Sequence, residues 1–262
     1  MKKNKSLFII LIFLAIFIVQ PNNFNAIKSG LTQNDIPNQL NIADSAEEKN
    51  PNSNLNSTLK NDDLKSKEYD GKNQVIIVNE KSQFTKSELS LESGSWEKYS
   101  DLDFLNRVGI AEAMLGKELM PTEDRESISP ITPTGWKNKK IVFNGKEDYL
   151  YNRSHLIGFQ LSGENANAKN LFTGTRALNA NFEDEQSSMV YYENKIANYI
   201  KNTNHHVRYR VTPIFRNVEL VARGVRMEAQ SIEDDEISFD VYIFNIQPGY
   251  KINYLTGSSQ KN

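Results

Sequence analysis

One histidine stands where its neighbours suggest chemistry. His155 lies two residues after Arg153 in the segment "YNRSHL", in a chain with only three histidines. If residues 149–157 form a strand, Arg153 and His155 project from one face and Ser154 from the other. A Ser–His nucleophile pair is therefore unfavourable. An arginine beside a histidine suits an anionic substrate and keeps the imidazole neutral by like-charge repulsion. The alternative, commoner for an isolated histidine, is a half-buried ring bonded to a backbone carbonyl.

Asparagines crowd the segment that follows His155, with Arg176 among them. Asparagine side chains commonly stabilise turns, and this is the default interpretation for most of them. An asparagine carbonyl is also a hard oxygen ligand for Mg²⁺, an ion that keeps most of its waters in protein sites. Because no carboxylate cluster lies near His155 in the sequence, we do not expect a fully protein-wrapped metal. The asparagines are Asn165, Asn167, Asn170, Asn179 and Asn181.

A carboxylate falls on the apolar stripe of a predicted helix. The spacing of Met189, Ile196 and Ile200 predicts a helix over residues 188–202 with these side chains facing the core. Glu193 lies on the same stripe, four residues after Met189 and three before Ile196. A core-facing carboxylate needs a partner, so Glu193 belongs either to a buried structural ion pair or to a site with a hydrated metal.

The composition excludes several kinds of site. The absence of cysteine excludes disulfides, thiolate metal sites and Cys–His nucleophiles, and three histidines are too few for a typical multi-histidine zinc site. The formal net charge of −2 argues mildly against a nucleic-acid partner, which usually meets a basic face. Charge can still be local, since residues 136–140 and 208–217 are basic.

The N-terminal region has the features of a targeting segment. Three lysines within the first five residues precede an unbroken apolar run over residues 7–19, which is short for a spanning helix and suitable for a signal peptide. We therefore predict that residues 1–26 are a signal peptide or an N-terminal anchor. The protein is then either secreted or anchored in the membrane with its domain on the extracellular side. Residues 27–67 are polar, and we predict a disordered tether.

The remaining residues, 68–262, predict a single α+β domain. Alternation and β-branched runs indicate strands, helical spacing indicates two helices, and Asn144-Gly145 is a strong hairpin signal. The three C-terminal strands have the alternation of a half-buried antiparallel sheet. The predicted strands cover 73–80, two segments within 139–157, then 206–215, 218–232 and 237–246; the predicted helices cover 100–119 and 187–203, and 127–136 is an extended connection.

A longer segment resembles a known family. The stretch "NRSHLIGFQLSGENANAKNLFTGTRALN" is similar to the active-site segment of the DNA/RNA non-specific endonucleases, in the branch of streptococcal-type secreted and surface DNases. The resemblance extends over nearly all of residues 69–262, including "LGKELMPTEDRESISPITPTGW" and "NIQPGYKINYLTG". Many members carry Asp-Arg-Gly-His, whereas this chain has Asn152-Arg153-Ser154-His155. The departure at Asn152 removes a negative charge beside the histidine.

The resemblance implies a ββα-metal (His-Me finger) fold, with a central antiparallel sheet flanked by helices, and one hydrated Mg²⁺, for which Mn²⁺ is a substitute. It implies that His155 is the general base, that Asn179 is the direct metal ligand, and that Asn170 supports the site. It implies that Glu193 holds the metal's waters, with Glu183 and Glu185 as the substitutes if the alignment shifts. Arg153 and Arg176 become the candidates for binding phosphate.

The function implied is hydrolysis of phosphodiester bonds in DNA, and also RNA, with little sequence specificity. His155 would take a proton from the attacking water, and the metal would neutralise charge in the transition state and on the leaving 3′ oxygen. Two alternatives stay open: a surface protein that binds nucleic acid without cutting it, and a hydrolase of small phosphodiesters. No protein partner is inferred, and contact with a membrane is expected only through an uncleaved N-terminal segment.

Overall fold

The computed structural model describes residues 59–181 and 184–262. The predicted signal peptide or anchor, and the predicted tether as far as residue 58, lie outside the described residues. Within the described ranges, none of the helices has the length and apolar character needed to cross a membrane.

Six antiparallel strands form the central sheet. The predicted strand at 73–80 and the three predicted C-terminal strands are confirmed, because their β-branched and alternating residues pair side by side. In spatial order the sheet runs β1-β10-β9-β8-β3-β2. Its strands are β1 (Val75–Asn79), β2 (Trp96–Tyr99), β3 (Ala111–Leu115), β8 (Val207–Ile214), β9 (Gly224–Ser231) and β10 (Ser238–Phe244).

Both faces of this sheet are covered, which corrects the prediction of a half-buried sheet. The apolar face, with Val211 and Met227, packs against the long helix α4 (Met189–Thr203). The opposite face is polar in sequence, as the alternation predicts, yet Arg208 is only 2% exposed. The Phe84 ring lies over its guanidinium, and Glu112 accepts a 2.5 Å hydrogen bond from it. Ion pairing and aromatic cover therefore allow a charged face to be buried.

The predicted helix over residues 100–119 is wrong. This segment instead forms a turn and then β3, which pairs with β2 and β8. Asn106 adopts a positive φ of 60°, and the Asp103 carboxylate accepts hydrogen bonds from the backbone and side chain of Arg107. The apolar spacing that resembled a helix combines turn residues with the buried strand residues of β3, so local periodicity gave way to sheet pairing.

Three strands, rather than the two predicted, occupy residues 139–157. Asn144 and Gly145 both have positive φ, 52° and 70°, as a two-residue hairpin turn requires. This turn joins β4 (Lys140–Phe143) to β5 (Lys146–Tyr149). The chain then bends at buried Leu150 and begins β6 (Tyr151–His155). The segment predicted to be an extended connection, 127–136, contains no helix or strand in the described structure.

The next elements form the ββα unit that the resemblance implies. Strand β6 pairs antiparallel with β7 (Leu171–Thr175), and α2 (Phe159–Ser162) lies in the connection between them. Helix α3 (Arg176–Asn179) follows β7 at once, with the Thr175 hydroxyl accepting a hydrogen bond from the Leu178 amide as its N-cap. Helix α4 confirms the predicted helix at 187–203. Together with the central sheet, this confirms the predicted fold class.

Short elements complete the domain at both ends. A C-terminal hairpin, β11 (Tyr250–Ile252) with β12 (Ser259–Lys261), packs near β4 through the cluster that contains Ile141 and Ile252. At the other end, α1 (Asn61–Ser66) packs against the sheet through Leu64, which is fully buried. The predicted tether therefore extends too far, because the residues of α1 belong to the folded domain.

Candidate active site

A cleft of about 690 Å³ opens beside the ββα unit. Strand β6, the start of α2, the end of α3 and the first turns of α4 border it, together with the connection before β4. Charged, amide and aromatic side chains line it together, so it suits a polar ligand that also has apolar parts. Its walls include Arg125, Trp136, Asn138, Tyr149, Asn152, Arg153, His155, Asn179 and Glu193.

His155 faces this cleft from the end of β6. The strand alternation places Ser154 on the other side, where it packs against Gly174 of β7, as expected for adjacent strand residues. The imidazole is 7% exposed, and its Nε2 lies 2.8 Å from the carbonyl oxygen of Asn165. Nε2 must carry the proton to donate to that carbonyl. Nδ1 is then the unprotonated nitrogen, and the Arg125 guanidinium donates to it over 3.3 Å.

The pKa of His155 is lowered to about 4. Burial is the main cause, because it penalises the charged imidazolium, and the charge of Arg125 lowers the pKa further, while the bond to Asn165 opposes both. The imidazole is therefore neutral at pH 7. The sequence predicted a neutral histidine with Arg153 as the cause; the structure corrects the cause, since burial and Arg125 are responsible.

Arg153 lines the cleft but has partners of its own. Its Nε donates to the Ile131 carbonyl over 2.5 Å, and Nη2 donates to the Ser129 carbonyl over 3.0 Å. The guanidinium carbon lies 4.4 Å from the centre of the Trp136 ring. These contacts fix the guanidinium beside the cleft and leave Nη1 without a hydrogen bond among the described residues.

Arg176, the other candidate for binding phosphate, is placed differently. It begins α3, and its Nε lies 2.8 Å from Asp148 in an ion pair that is mostly buried. Asp148 borders the cleft, whereas Arg176 is not one of the lining residues. The structure thus does not bring Arg176 together with His155 and Arg153 at the cleft wall.

Glu193 lies on the buried stripe of α4, as predicted, and is 6% exposed. Burial raises its pKa to about 8, although the Gly158 amide, Gln160 and the charge of Arg125 all favour the ionised form. The carboxylate lies so close to Gly158 that a Cβ there would overlap it. Glycine at this position therefore makes room for Glu193 at the cleft.

Asn179 and Glu193 border the same cleft although fourteen residues separate them. One continuous helix would place them about 21 Å apart. The chain avoids this because α3 ends at Asn179, Ala180 is extended, and α4 begins only at Met189. Of the two substitutes for Glu193, Glu185 is exposed in a single 3₁₀ turn away from the cleft, and Glu183 lies outside the described residues.

Asn170 supports the site from behind. It is fully buried, and its side-chain oxygen accepts hydrogen bonds from the amides of Leu156 and Ile157 at 3.0 and 2.9 Å. Its Nδ2 donates to the Ile157 carbonyl over 3.0 Å. These bonds hold the bend that follows His155, and they leave the Asn170 oxygen turned to the backbone rather than to the cleft.

The residues present fit a hydrated divalent cation. The Asn152 side-chain oxygen is buried with no hydrogen-bond partner, and the Asn179 side chain makes no hydrogen bond within the described residues. Both border the cleft with the Glu193 carboxylate. Amide and carboxylate oxygens are the donors that Mg²⁺ prefers, and a site with few protein ligands suits an ion that keeps its waters.

The sequence reasoning missed Arg125. It lies thirty residues before His155 in the connection that precedes β4, where nothing in local spacing links the two. The structure places it against Nδ1 of His155 and close enough to lower the pKa of both His155 and Glu193. The only signal in the sequence was that it is an isolated cation within a segment of the family resemblance.

The chain is similar to known nucleases. A curated deoxyribonuclease from Streptococcus dysgalactiae subsp. equisimilis is 34% identical over 129 residues, which are 49% of this chain and 37% of that protein. The chain therefore spans little more than a third of the length of this relative.

Two solved structures have a similar fold. Magnesium-bound NucA from Streptococcus agalactiae is 24% identical with a TM-score of 0.64, over 72% of this chain and 88% of that chain. The Sda1 nuclease with a bound zinc ion is 30% identical with a TM-score of 0.57, over 64% of this chain and 81% of that chain. Both structures are nucleases that share the fold class of this chain.

The family comparison covers the elements that build the cleft. A family model described as DNA/RNA non-specific endonuclease matches residues 88–233, more than half of the chain, from before β2 to the end of β9. His155, Asn179 and Glu193 all fall within this range. The chain belongs to the DNA/RNA non-specific endonuclease family.

Proposed function

We propose that this protein is an exported, metal-dependent endonuclease that hydrolyses phosphodiester bonds of DNA, and of RNA, with little sequence specificity. The observation that carries the proposal is a neutral His155, with its Nε2 proton fixed on the Asn165 carbonyl, facing the cleft that Asn179 and Glu193 also border. Family membership supports the reaction type, and the named deoxyribonuclease relative supports DNA as the substrate.

His155 supplies the general base in this proposal. Hydrolysis needs a proton to leave the attacking water, and Nδ1 is the nitrogen with a free lone pair once Arg125 turns away. The bond from Nε2 to Asn165 fixes the ring and stabilises the imidazolium that forms. A phosphate in the cleft would attract the Arg125 guanidinium away from Nδ1, because the phosphate is the stronger acceptor for a cation.

Arg125 and Arg153 bind the phosphate in this proposal. Both border the cleft, and Arg153 is held by Trp136 and two backbone carbonyls, so little conformational entropy is lost when its remaining nitrogen donates. Guanidinium groups stabilise the charge that accumulates on the phosphoryl oxygens. Contacts to phosphate do not depend on the base, which accounts for the weak sequence specificity.

Asn179, Glu193 and Asn152 would hold the metal, with Mg²⁺ as the proposed ion and Mn²⁺ as a substitute. The ion, when bound, supplies positive charge for the transition state and the leaving oxygen. The Glu193 carboxylate must be ionised to serve it. Since burial raises the pKa of Glu193 to about 8, a nearby cation is needed to keep the group charged at neutral pH.

We also propose the organisation of the chain. Residues 1–26 are the signal peptide or anchor, residues 68–262 together with α1 form the endonuclease domain, and the segment from residue 27 to the start of α1 is a tether. Extracellular localisation is proposed from the N-terminal lysines and apolar run, and contact with a membrane only from an uncleaved leader.

Plasmid digestion tests the proposed function. Residues 27–262, without the predicted leader, should nick and then degrade plasmid DNA with Mg²⁺ and should be inactive in EDTA. His155→Ala should lower the rate by about 10²–10⁴-fold, the usual contribution of general-base catalysis, with an unchanged circular dichroism spectrum. Ser154→Ala, on the opposite side of β6, is the matched control and should remain active. Binding of DNA without nicking by the wild type would instead support a nucleic-acid-binding protein.

A further inference from the structure

Tyr149 is the most exposed aromatic residue among the described residues that border the cleft. Trp136 is covered by Arg153, and Tyr151 is 1% exposed with its hydroxyl donating to the Gly257 carbonyl over 2.9 Å. Tyr149, by contrast, is 53% exposed. Within the part of the chain described, its ring makes no cation–π contact and its hydroxyl makes no hydrogen bond. Of the aromatic residues that border the cleft, Tyr149 is the exposed one, whereas Phe159 is half-buried.

The backbone on either side of Tyr149 is fixed. Tyr149 pairs with Lys140 across the β4–β5 hairpin, and its amide donates to the Asp148 carboxylate over 2.7 Å. The next residue, Leu150, is fully buried; its amide donates to the Lys139 carbonyl, and its carbonyl accepts from the Arg176 amide, both at 2.9 Å. An exposed ring on an anchored backbone can bind a flat ligand with little loss of conformational entropy.

A cation stands close in sequence to two residues that border the cleft. Lys137 is exposed and stands between Trp136 and Asn138, both of which border the cleft. Its ammonium has no ion-pair partner among the described residues. A nucleic-acid strand offers alternating flat bases and anionic phosphates, and an aromatic ring with a nearby cation is the combination that binds single strands without sequence preference.

We propose that Tyr149 is a stacking platform for an unpaired nucleobase of the strand being cut, so that the enzyme prefers single-stranded or locally opened nucleic acid. The proposal rests on the nuclease function proposed above and specifies its substrate. Bases within a duplex already stack on both neighbours, and exposing one costs a few kcal/mol. A single strand offers its base faces at much lower cost, and every base has such a face.

Steady-state kinetics of four proteins test this proposal: the wild type, Tyr149→Ala, Tyr149→Phe and Val142→Ala. Each protein is assayed on a single-stranded oligonucleotide and on a duplex of the same sequence. Tyr149→Ala should raise KM for the single strand about 5- to 140-fold, which is the range of base–aromatic stacking, with little change in kcat. Tyr149→Phe should keep KM within about twofold, because the ring remains.

Val142→Ala is the matched control. Val142 is 69% exposed on the same face of the hairpin, two cross-strand pairs away from Tyr149, and it does not line the cleft. Its truncation should leave KM for both substrates unchanged. On the duplex, Tyr149→Ala should have a smaller effect than on the single strand. Equal losses on both substrates would overturn the preference for unpaired bases.

Abasic substitution identifies the stacked base. Single-stranded oligonucleotides with one cleavable linkage would carry an abasic nucleotide at successive positions around it. At one position the abasic nucleotide should raise the KM of the wild type as much as the Tyr149→Ala substitution does. The KM of Tyr149→Ala should be the same with and without the base at that position. If the wild type cuts and Tyr149→Ala has the same KM, the platform is wrong while the nuclease function stands. If the wild type cuts no substrate, the nuclease function itself is wrong.

Discussion

At the residue scale, burial keeps His155 in the neutral form that the proposed general base requires. The ring is neutral mainly because it is removed from water, and Arg125 adds to this effect. Its tautomer is set by the Asn165 carbonyl, which accepts a hydrogen bond from the protonated Nε2. A buried group with a shifted pKa in a cleft is a common mark of an active site, and it also has a consequence for stability.

We predict that His155 makes the metal-free protein sensitive to acid. Its pKa falls from 6.5 to about 4 on folding, so the unfolded chain binds the proton first as the pH decreases. The associated stability is complete above pH 6.5 and is lost as the pH falls through about 4. The loss is about 3 kcal/mol, from 1.36 kcal/mol per pKa unit. Urea unfolding in EDTA at pH 7 and pH 4 measures it.

The control for this experiment is His155→Asn, which has no titrating group at the position. The free energy of unfolding of the variant should fall less than that of the wild type between the two pH values. The two proteins have the same other titratable groups, so the difference between their changes in the free energy of unfolding reports on His155. Parallel curves for the two proteins would show that His155 has an ordinary pKa.

Gly158 is the second residue whose role depends on close contact. We expect Gly158→Ala to displace the Glu193 carboxylate, because the added Cβ overlaps it. Displacing a group that supports a metal typically costs about 10- to 100-fold in affinity or activity. Titration of the activity with Mg²⁺ should show this weaker dependence. The control Ser162→Ala, at the other end of α2, should show the same dependence on Mg²⁺ as the wild type. An unshifted curve for Gly158→Ala would show that Glu193 does not support the metal.

At the element scale, short elements do most of the positioning. Strand β6 presents His155 and Arg153, the four-residue α3 ends at Asn179, and α4 carries Glu193 on its buried stripe. Asn170 ties the end of β6 to the start of β7, so the strands of the ββα unit are fixed relative to one another. The site therefore depends on bends between elements as much as on the elements.

Helix α1 gives a prediction at this scale. Leu64 is fully buried against the cluster that contains Tyr242 and Phe244, so Leu64→Ala should lower the free energy of unfolding by about 2–5 kcal/mol. Asp62→Ala, on the exposed side of the same helix, should change it by less than about 0.5 kcal/mol. Denaturant unfolding measures both. Equal small effects would place α1 with the tether rather than with the domain.

At the scale of the whole molecule, electrostatics depend on where charge lies rather than on its sum. The net charge is −2, and many arginines, such as Arg208 and Arg226, are used in buried ion pairs within the sheet. Two arginines, Arg125 and Arg153, border the cleft, and Lys137 is exposed between the cleft residues Trp136 and Asn138. Binding of nucleic acid should therefore depend on a small number of phosphate contacts.

This limited set of contacts predicts a shallow salt dependence. Removing one phosphate contact by Lys137→Ala should reduce the slope of log K against log salt by about 0.7 for single-stranded DNA. The measurement is binding of a single-stranded oligonucleotide in EDTA, where cutting is expected to stop, over a range of NaCl concentrations. Lys201→Ala, in the last turn of α4 and not among the residues that border the cleft, should leave the slope unchanged. An unchanged slope for Lys137→Ala would remove Lys137 from the binding surface.

Local signals predicted much of the fold and some of the site. The 3.6-residue stripe of α4 and the alternation of β8 to β10 report burial directly, and Asn144-Gly145 carries its own turn chemistry. The helix prediction for residues 100–119 failed because alanines and leucines are compatible with both helix and strand. Only pairing with β2 and β8 decides between them, and pairing partners lie far away in sequence.

The sequence by itself determined that His155 and Arg153 share one side of a strand, that Glu193 is buried, and which family the active-site segment resembles. These properties follow from local periodicity or from an ordered run of residues. Only the tertiary structure decided that Arg125 lies against His155, that Arg176 pairs with Asp148, and that Tyr149 keeps a free ring at the cleft. Such contacts join distant segments, and the burial that shifts the pKa of His155 is a property of the assembled cleft.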